Sequence, residues 1–461
     1  MLHGAGPDTR KTADKTMPTS KKSKKKLKFR CDFSTTILDV LRDRGWWQVG
    51  EDDDNWDLFW CEVTQLKATL DNLRLNTHQR VPHFRNHYEL TRKNLLARNL
   101  KRLKRLYIRE GRLDDVELCD CMPLTYELPN EYLMFVEEYR KHPGATWIVK
   151  PALGSQGRGI FLFQRLKDLI DWRSSKETHA SGSAPPAPGA GPLEGEQTQP
   201  DTYVVQRYIE KPYLLAGRKF DIRFYVLVTS FLPLKVWLAR EGFARLSGYQ
   251  FSLNTLSDNR IHVTNMAVQL RSMQKGSCPK DYKRSLRHLR EFLTAQHGAE
   301  VVESLVQRIA NIVLTSLHSV QQVIMQDRHC FELYGYDILL DADLRPWLLE
   351  VNASPSLSAT DSEDYLLKYN LVADLLNILN LEGRLDGTER RVGGFDLLWN
   401  NGPVWKVFPG TTDCHEQPHP TVGSVNFSSP RLNVFLGCLN DRNAQLRLLQ
   451  RAHNKQEMLR D

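Results

Sequence analysis

No run in this 461-residue chain approaches the ~18 consecutive apolar residues of a bilayer-spanning helix, so a membrane-embedded class is not expected. The basic N-terminus is not followed by the apolar core of a secretory signal. The eight cysteines, at 31, 61, 119, 121, 278, 330, 414 and 438, are scattered, with neither a CxxC pair nor a disulfide-like spacing. Cys119-Asp-Cys121 reads as a structural pair, and a reduced, intracellular protein is the expectation. Asn352-Ala-Ser matches a glycosylation acceptor, a reading with little weight where no secretory route is expected. Three nucleotide-enzyme signatures are missing as well. There is no GxxxxGK[ST] loop, no HRD or DFG, and no Gly-rich turn opening a helix as in a dinucleotide fold. No internal repeat is visible.

What is present is ordinary in bulk and uneven in place. Apolar residues make up 41% and charged residues 26%, enough to build cores in two or three domains of ~150 residues each. The net charge is +8, and residues 1–30 alone carry ten Lys/Arg against two Asp/Glu, so the basic excess belongs to that tail. It reads as a basic disordered tail. An N-terminal domain is expected over 31–145, with a core fed by Trp46, Trp47, Trp56 and Trp60. Its 92–112 stretch places Leu95, Leu96, Leu100, Leu103 and Leu106 at helical spacing among many cations, a basic amphipathic helix. Such a face is either solvated or a contact for an acidic partner.

Residues 174–200, SSKETHASGSAPPAPGAGPLEGEQTQP, are too poor in apolar groups to pack and read as a disordered insertion inside a 146–385 unit. Strands are expected at 147–151, 203–209, 220–230, 234–239, 261–269, 333–340 and 346–352, and helices at 299–326 and 363–380. Beyond 385 periodicity fades, and 386–461 reads as an irregular tail. The class is α+β or mixed α/β.

The chemistry concentrates in LYGYDILLDADLRPWLLEVN (333–352), which reads as a hairpin. With Asp341 opposite Leu344, Asp337 faces Leu348, and Asp337, Glu350 and Asn352 share one face. Asp337 and Glu350 then sit diagonally, with Cβ atoms ~7 Å apart. Two buried carboxylates repel and resist desolvation. A hard cation resolves both problems, and Mg2+ takes this oxygen set together with nucleotide phosphates. The plainer alternative is neutralisation by Arg345 or another base. Upstream, ATWIVKPALGSQGRGIFLF (145–163) reads as a strand ending at Lys150, a glycine loop, and a second strand. Its backbone N–H groups and lysine suit phosphates.

The series KP…GSQGRGI, VVQRYIEKP, GRKFDIR, HVTN, YGYDILLD and WLLEVNASPSL, with NHYELTRK (86–93) ahead of it, resembles the tubulin tyrosine ligase-like enzymes over roughly residues 40–385. It lies nearest their polyglutamylase branch. The resemblance implies an ATP-grasp fold with an additional N-terminal domain and disordered tails. It implies that Lys150 contacts ATP phosphate, with Gln156 and Gly157 in the loop above and Gln156 also meeting the protein substrate. Gln206, Arg207, Tyr208 and Ile209 would line the adenine slot. Lys219, Phe220, Asp221 and Arg223 would reach phosphates and ribose, and His262, Thr264 and Asn265 would complete the centre. Asp337, Glu350 and Asn352 would hold Mg2+, and Arg223, Arg245 and Asn265 would be the catalytic set. Arg245 matches the position that grips the incoming amino acid, a carboxylate suited to a guanidinium. The family's Lys-Trp pair past HxTN has no Trp here, and in KGSCPKDYKRSL (275–286) Lys283 is the match.

The implied reaction uses ATP to turn a glutamate side chain of a tubulin tail into an acyl phosphate, which free L-glutamate attacks to form an isopeptide bond. Expected partners are tubulin C-terminal tails and microtubules, with other subunits of a polyglutamylase complex an open requirement and neither nucleic acid nor membrane among them. Expected places are the cytoplasm, the cytoskeleton, and the cilium, its basal body and axoneme, or the flagellum. Three alternatives stand beside this: a ligase adding glycine or tyrosine, a catalytically silent microtubule-binding subunit, and an ATP-grasp ligase acting on a non-tubulin protein or a small molecule.

Overall fold

The computed structural model describes residues 26–154, 157–181, 202–271, 279–404 and 435–458. Its strands fall into three sheets. β1 (Lys28–Cys31), β2 (Trp47–Gln48) and β3 (Leu58–Trp60) form a small parallel sheet, so the last residues of the basic stretch are structured. β4 (Val81–Pro82) joins a larger sheet described below. β5 (Thr125–Leu128), β6 (Trp147–Pro151), β7 (Phe161–Phe163) and β8 (Tyr203–Arg207) form an antiparallel sheet in the order β5-β8-β6-β7. The large sheet adds β9 (Leu214–Leu215), β10 (Arg218–Phe231), β11 (Leu234–Gln250), β12 (Lys283–Ser285), β13 (Cys330–Leu340), β14 (Pro346–Asn352), β15 (Arg391–Val392) and β16 (Phe395–Asn400). Its main path runs β14-β13-β10-β11-β16-β15, with β12 on β11, β4 on β13 and β9 on β10.

Alternation along β10 decides what each face does. Phe220, Ile222 and Phe224 point into the core with the buried side of helix Ala299–Gln321, including Val302, Ile309 and Val313. Further along, Tyr225 and Leu227 are buried on the opposite face beneath helix Ser362–Leu379, so this end of β10 is apolar on both sides. Only the N-terminal half of that second face borders a cleft, at Lys219 and Asp221, with Arg223 beneath them. The site sits there.

Several expectations change. IHVTNMAVQ is not a strand: Asn259–His262 and Met266–Arg271 are short helices joined by extended residues. Polar caps override the β-branched composition, with the Asp258 side chain accepting from Arg260 N and the Asn265 side chain from Ala267 N. The segment beyond 385 is not irregular throughout. It adds β15 and β16 to the sheet edge and ends in helix Arg442–Met458. A fully buried ion pair explains the docking: Arg240 of β11 donates to both carboxylate oxygens of Asp396 at 2.9 and 2.8 Å. The long helix stops at Gln321 rather than 326, and the basic helix spans Lys93–Arg109. Of the proposed insertion, residues 174–181 continue helix Leu166–Ser181, and 182–200 lie outside the described residues, as do 1–25 of the tail. Among the described residues no helix is long and apolar enough to cross a membrane.

Candidate active site

A cleft of about 870 Å3 separates the four-stranded sheet from the open half of the large one. Both walls come from alternation. On β6, Trp147 and Val149 enter the core of their own sheet, which turns Ile148 and Lys150 to the cleft. On β10, Lys219 and Asp221 face it while Phe220, fully buried, points away, so Phe220 is core rather than ligand contact.

Lys150 Nζ donates to Gln206 Oε1 at 2.7 Å, and Gln206 Nε2 donates to Thr125 Oγ1 at 2.8 Å, which fixes the lysine across three strands. Burial lowers the Lys150 pKa to about 8, with Glu350 opposing the shift and Lys93 adding to it. Lys219 donates to Tyr208 Oη and to the His262 carbonyl, both at 2.9 Å. Burial, reinforced by the Lys150 charge, brings it to about 7. His262 Nε2 faces the Thr255 carbonyl at 2.9 Å, so that nitrogen carries the proton and Nδ1 accepts from Tyr208 Oη at 3.0 Å. Burial also lowers the His262 pKa, in keeping with a neutral ring. Thr264 and Asn265 line the same wall.

Gly157 in the loop above has φ +69°, and a Cβ there would come within 2.8 Å of Val268 Cγ2 and 3.1 Å of Val263 Cγ1. Only glycine lets this backbone approach the cleft wall. Gln156 lies outside the described residues. Arg207, Tyr208 and Ile209 form the rim with Ile148 and Ile160, an apolar slot of the kind a flat base occupies.

Below the lysines, charged side chains run across four neighbouring strands. Asp337 of β13 is opposite Glu350 of β14, and Arg223 of β10 is opposite Asp337. Asp221 is opposite Arg245 of β11. The hairpin register therefore differs from the expected one: Ile338, not Asp337, pairs with Leu348, and a bulge between Asp337 and Ile338 shifts the ladder. The carboxylates still share a face. Arg223 forms a two-pronged pair with Asp337, and Arg245 binds Asp221 and reaches Asp337 at 2.8 Å. Arg245 thus spends Nε and Nη2 inside the protein, and among the described residues Nη1 makes no hydrogen bond. Lys283, its ladder partner, turns out of the cleft to Thr360 at 2.9 Å and Asp364 at 3.1 Å. Arg223 does not line the cleft but lies beneath it.

Asn352 closes the acidic end, its amide within 3.4 Å of Asp337 and 3.5 Å of Glu350. That amide donates from Nδ2, so two carboxylates converge here, and Asn352 adds a third oxygen to a hard cation's ligand set once its amide turns Oδ1 inward. Their charge is met by Arg223, Arg245 and Lys93, not by Arg345, which bonds the Asp120 carbonyl. Lys93 was not anticipated, although NHYELTRK contains it. Its Nζ is 2.9 Å from Glu350 Oε2 and 3.3 Å from the Gly154 carbonyl. Burial raises the Glu350 pKa, but Lys93, Arg223 and a hydrogen bond with Asp337 outweigh it and hold the carboxyl well below the usual range. Leu339, Leu349 and Pro123 also line the cleft and carried no signal in sequence; Pro151, Arg158 and Val263 line it beside the expected residues.

Two β-lobes gripping a cleft with buried lysines above a carboxylate ladder define an ATP-grasp-like ligase. The tubulin-tyrosine ligase family matches residues 71–385, and the chain belongs to it. It is 48% identical to probable tubulin polyglutamylase TTLL9 of Rattus norvegicus, over 92% of this chain and 93% of that protein. It is 42% identical to probable tubulin polyglutamylase ttll-9 of Caenorhabditis elegans, over 90% and 92% respectively. It is 39% identical to probable alpha-tubulin polyglutamylase Ttll1 of Tetrahymena thermophila, over 83% and 95%.

Proposed function

We propose that this chain is an ATP-dependent tubulin polyglutamylase. The supporting observation is the cleft itself, whose lining brings together nucleotide-suited cations, the carboxylates of Asp337 and Glu350, and the Arg245 guanidinium, with Asn352 beside the carboxylates. ATP lies with its base in the Arg207–Ile209 slot and its phosphates between Lys150, Lys219 and the Gly157 loop. A carboxylate oxygen of the acceptor glutamate attacks the γ-phosphorus, and the bond to ADP breaks. The amine of free glutamate then attacks the acyl carbon; the C–O bond to phosphate breaks and the amine proton leaves to solvent. Lys150 and Lys219 meet the charge that moves with the phosphoryl group, so catalysis is positioning plus preorganised electrostatics. Asp337, Glu350 and Asn352 would hold Mg2+, which neutralises phosphate charge when bound. Arg245 Nη1 orients the incoming amino acid's carboxylate, and Asn265 borders the reacting atoms.

The acidic tail of tubulin needs a cationic handle, and the basic helix supplies one through residues other than those first expected. Lys101 and Lys104 are consumed by Glu131 at 2.8 Å and Asp120 at 2.6 Å. Arg98, Arg102, Arg105 and Arg109 stay exposed and, at 4-3-4 spacing, share one face. Such a substrate places the protein on microtubules in the cytoplasm, the axoneme included.

The test incubates the full chain with brain microtubules, Mg2+-ATP and labelled glutamate, glycine or tyrosine. Glutamate incorporation supports the reading, and glycine or tyrosine alone replaces it. No incorporation, with or without added partner subunits, leaves a silent binding protein.

A further inference from the structure

A second buried carboxylate lies outside the cleft. Glu332 of β13 is 0% exposed, and neither it nor its partner His83 lines the cleft. Glu332 Oε1 faces His83 Nδ1 at 3.0 Å, while Oε2 accepts from the Phe84 backbone N–H at 3.2 Å and from Tyr334 Oη at 3.0 Å. A carboxylate only accepts, so Nδ1 carries a histidine proton, and in the neutral ring Nε2 is an acceptor. That nitrogen faces the Ser354 hydroxyl, 3.4 Å away. His83 is itself buried and takes a left-handed φ of +70°, which strains a residue that has a Cβ. The turn comes directly after β4, where His83 N donates to the Phe331 carbonyl at 2.7 Å, and it brings the ring to Glu332 on the neighbouring strand. Strain of this kind persists only where the surroundings hold it, and such positions cluster at functional sites.

Ser354 is exposed and stands two residues past Asn352, in the loop that leaves β14. The chain Glu332–His83–Ser354 therefore runs from the buried sheet to the loop beside the proposed cation ligands. The far end of that loop is tied as well: buried Thr36, in helix Thr36–Asp43, donates to the Leu357 carbonyl at 3.0 Å. Both anchors come from residues far upstream of the loop. Between them Pro355 packs over Gly335, the ladder partner of Asn352, next to the Arg223 stem. A Cβ on Gly335 would meet Pro355 Cβ at 3.0 Å and Arg223 Cδ at 3.4 Å. A shift of this loop is thus felt by Asn352 along the chain and by Arg223 through packing.

We propose that His83, oriented by Glu332, is a positioning residue that fixes the 352–357 loop through Ser354 and so sets where Asn352 stands beside Asp337 and Glu350. This rests on the proposed ligase reading, because it takes those three side chains as the cation's ligands. Groups that orient a metal ligand from behind tune metal affinity although they never touch the ion.

The experiment compares the wild-type chain with Ser354→Ala, His83→Asn and the double variant, all checked by circular dichroism and thermal melting. Ser354→Ala deletes only an exposed hydroxyl. His83→Asn keeps a side chain that tolerates the left-handed backbone and can still donate to Glu332, but it is too short to reach Ser354. Mn2+ is titrated without nucleotide by its paramagnetic signal. Each single variant is expected to bind Mn2+ about threefold to tenfold more weakly, the range one hydrogen bond spans. The double variant is expected to bind no more weakly than the worse single one, a non-additivity that a merely structural histidine would not produce. Unchanged Mn2+ affinity in Ser354→Ala overturns the proposal, as does an additive loss in the double variant or an absence of Mn2+ binding to the wild type. Glutamate incorporation by the wild type is measured separately. Incorporation without the Mn2+ shift sinks the positioning role and leaves the ligase reading standing. No incorporation sinks the ligase reading, and a Mn2+ shift seen then still supports the positioning role at the cation site.

Discussion

Two buried lysines whose pKa values burial lowers into the neutral range make nucleotide binding depend on pH in a calculable way. Lys219 sits near 7 and Lys150 near 8, both because burial disfavours the ammonium. Tyr208, His262 and Asp221 also face Lys219, and the first two are neutral in the relevant range. A triphosphate favours both ammonium forms, so binding must take up protons as the pH rises. Between pH 7 and 8 the protonated fraction of Lys219 falls from about one half to about one tenth, a roughly fivefold loss of affinity. Lys150 goes from about nine tenths to one half over the same unit, a further factor of about two. Mg2+-ATP should therefore bind ~10-fold more weakly at pH 8 than at pH 7. Phosphate itself titrates near pH ~6, below the window. Isothermal titration in two buffers of different ionisation heat measures affinity and proton uptake together. Lys219→Met should bind more weakly at pH 7 and lose most of the slope. A flat affinity from pH 7 to 8.5 in the wild type, without proton uptake, refutes the reasoning. The sign of stability follows from the same depression. The unfolded lysine keeps its proton up to about pH 10 and the folded one does not, so the protein gains stability as pH rises from 7 toward 10.

Other outcomes are open to direct measurement. Glu350→Gln removes a charge from the proposed cation site and leaves Lys93 without its carboxylate partner, so it should cut glutamate incorporation at least ~100-fold and lower the melting temperature while the protein stays folded; retention of a tenth of the activity contradicts that role. Gly335→Ala puts a Cβ 3.0 Å from Pro355 Cβ and 3.4 Å from Arg223 Cδ, which crowds the guanidinium that braces Asp337. Activity should drop along with ~1–3 kcal/mol of stability, read from a denaturant midpoint. Arg240→Met strands Asp396 with Arg391 as its remaining cation, at 3.1 Å, and should cost ~3 kcal/mol in urea unfolding. Charge reversal at Arg98, Arg105 and Arg109 should weaken microtubule pelleting in a salt-sensitive way, and reversal at the paired Lys101 and Lys104 should do less. Equal effects from both sets would remove the arginine face as the handle.

Local pattern already contained much of this protein. The period-2 run from 220 to 230, the 3.6-period apolar stripe from 302 to 317, and the polar turn inside 333–352 each match the element observed, because backbone period and side-chain alternation are properties of neighbouring residues. The same alternation placed Asp337 and Glu350 on one face. It could also have sent Phe220 to the core, away from its neighbours Lys219 and Asp221.

Tertiary structure decided which distant groups meet. Lys93 against Glu350, Arg240 against Asp396, and the consumption of Lys101 and Lys104 by Glu131 and Asp120 depend on desolvation and on the approach of segments far apart in sequence. A charge has many potential partners along a chain. Only the packed fold says which of them excludes water from it, and so which carboxylates are buried with a cation and which cations stay free for an acidic substrate.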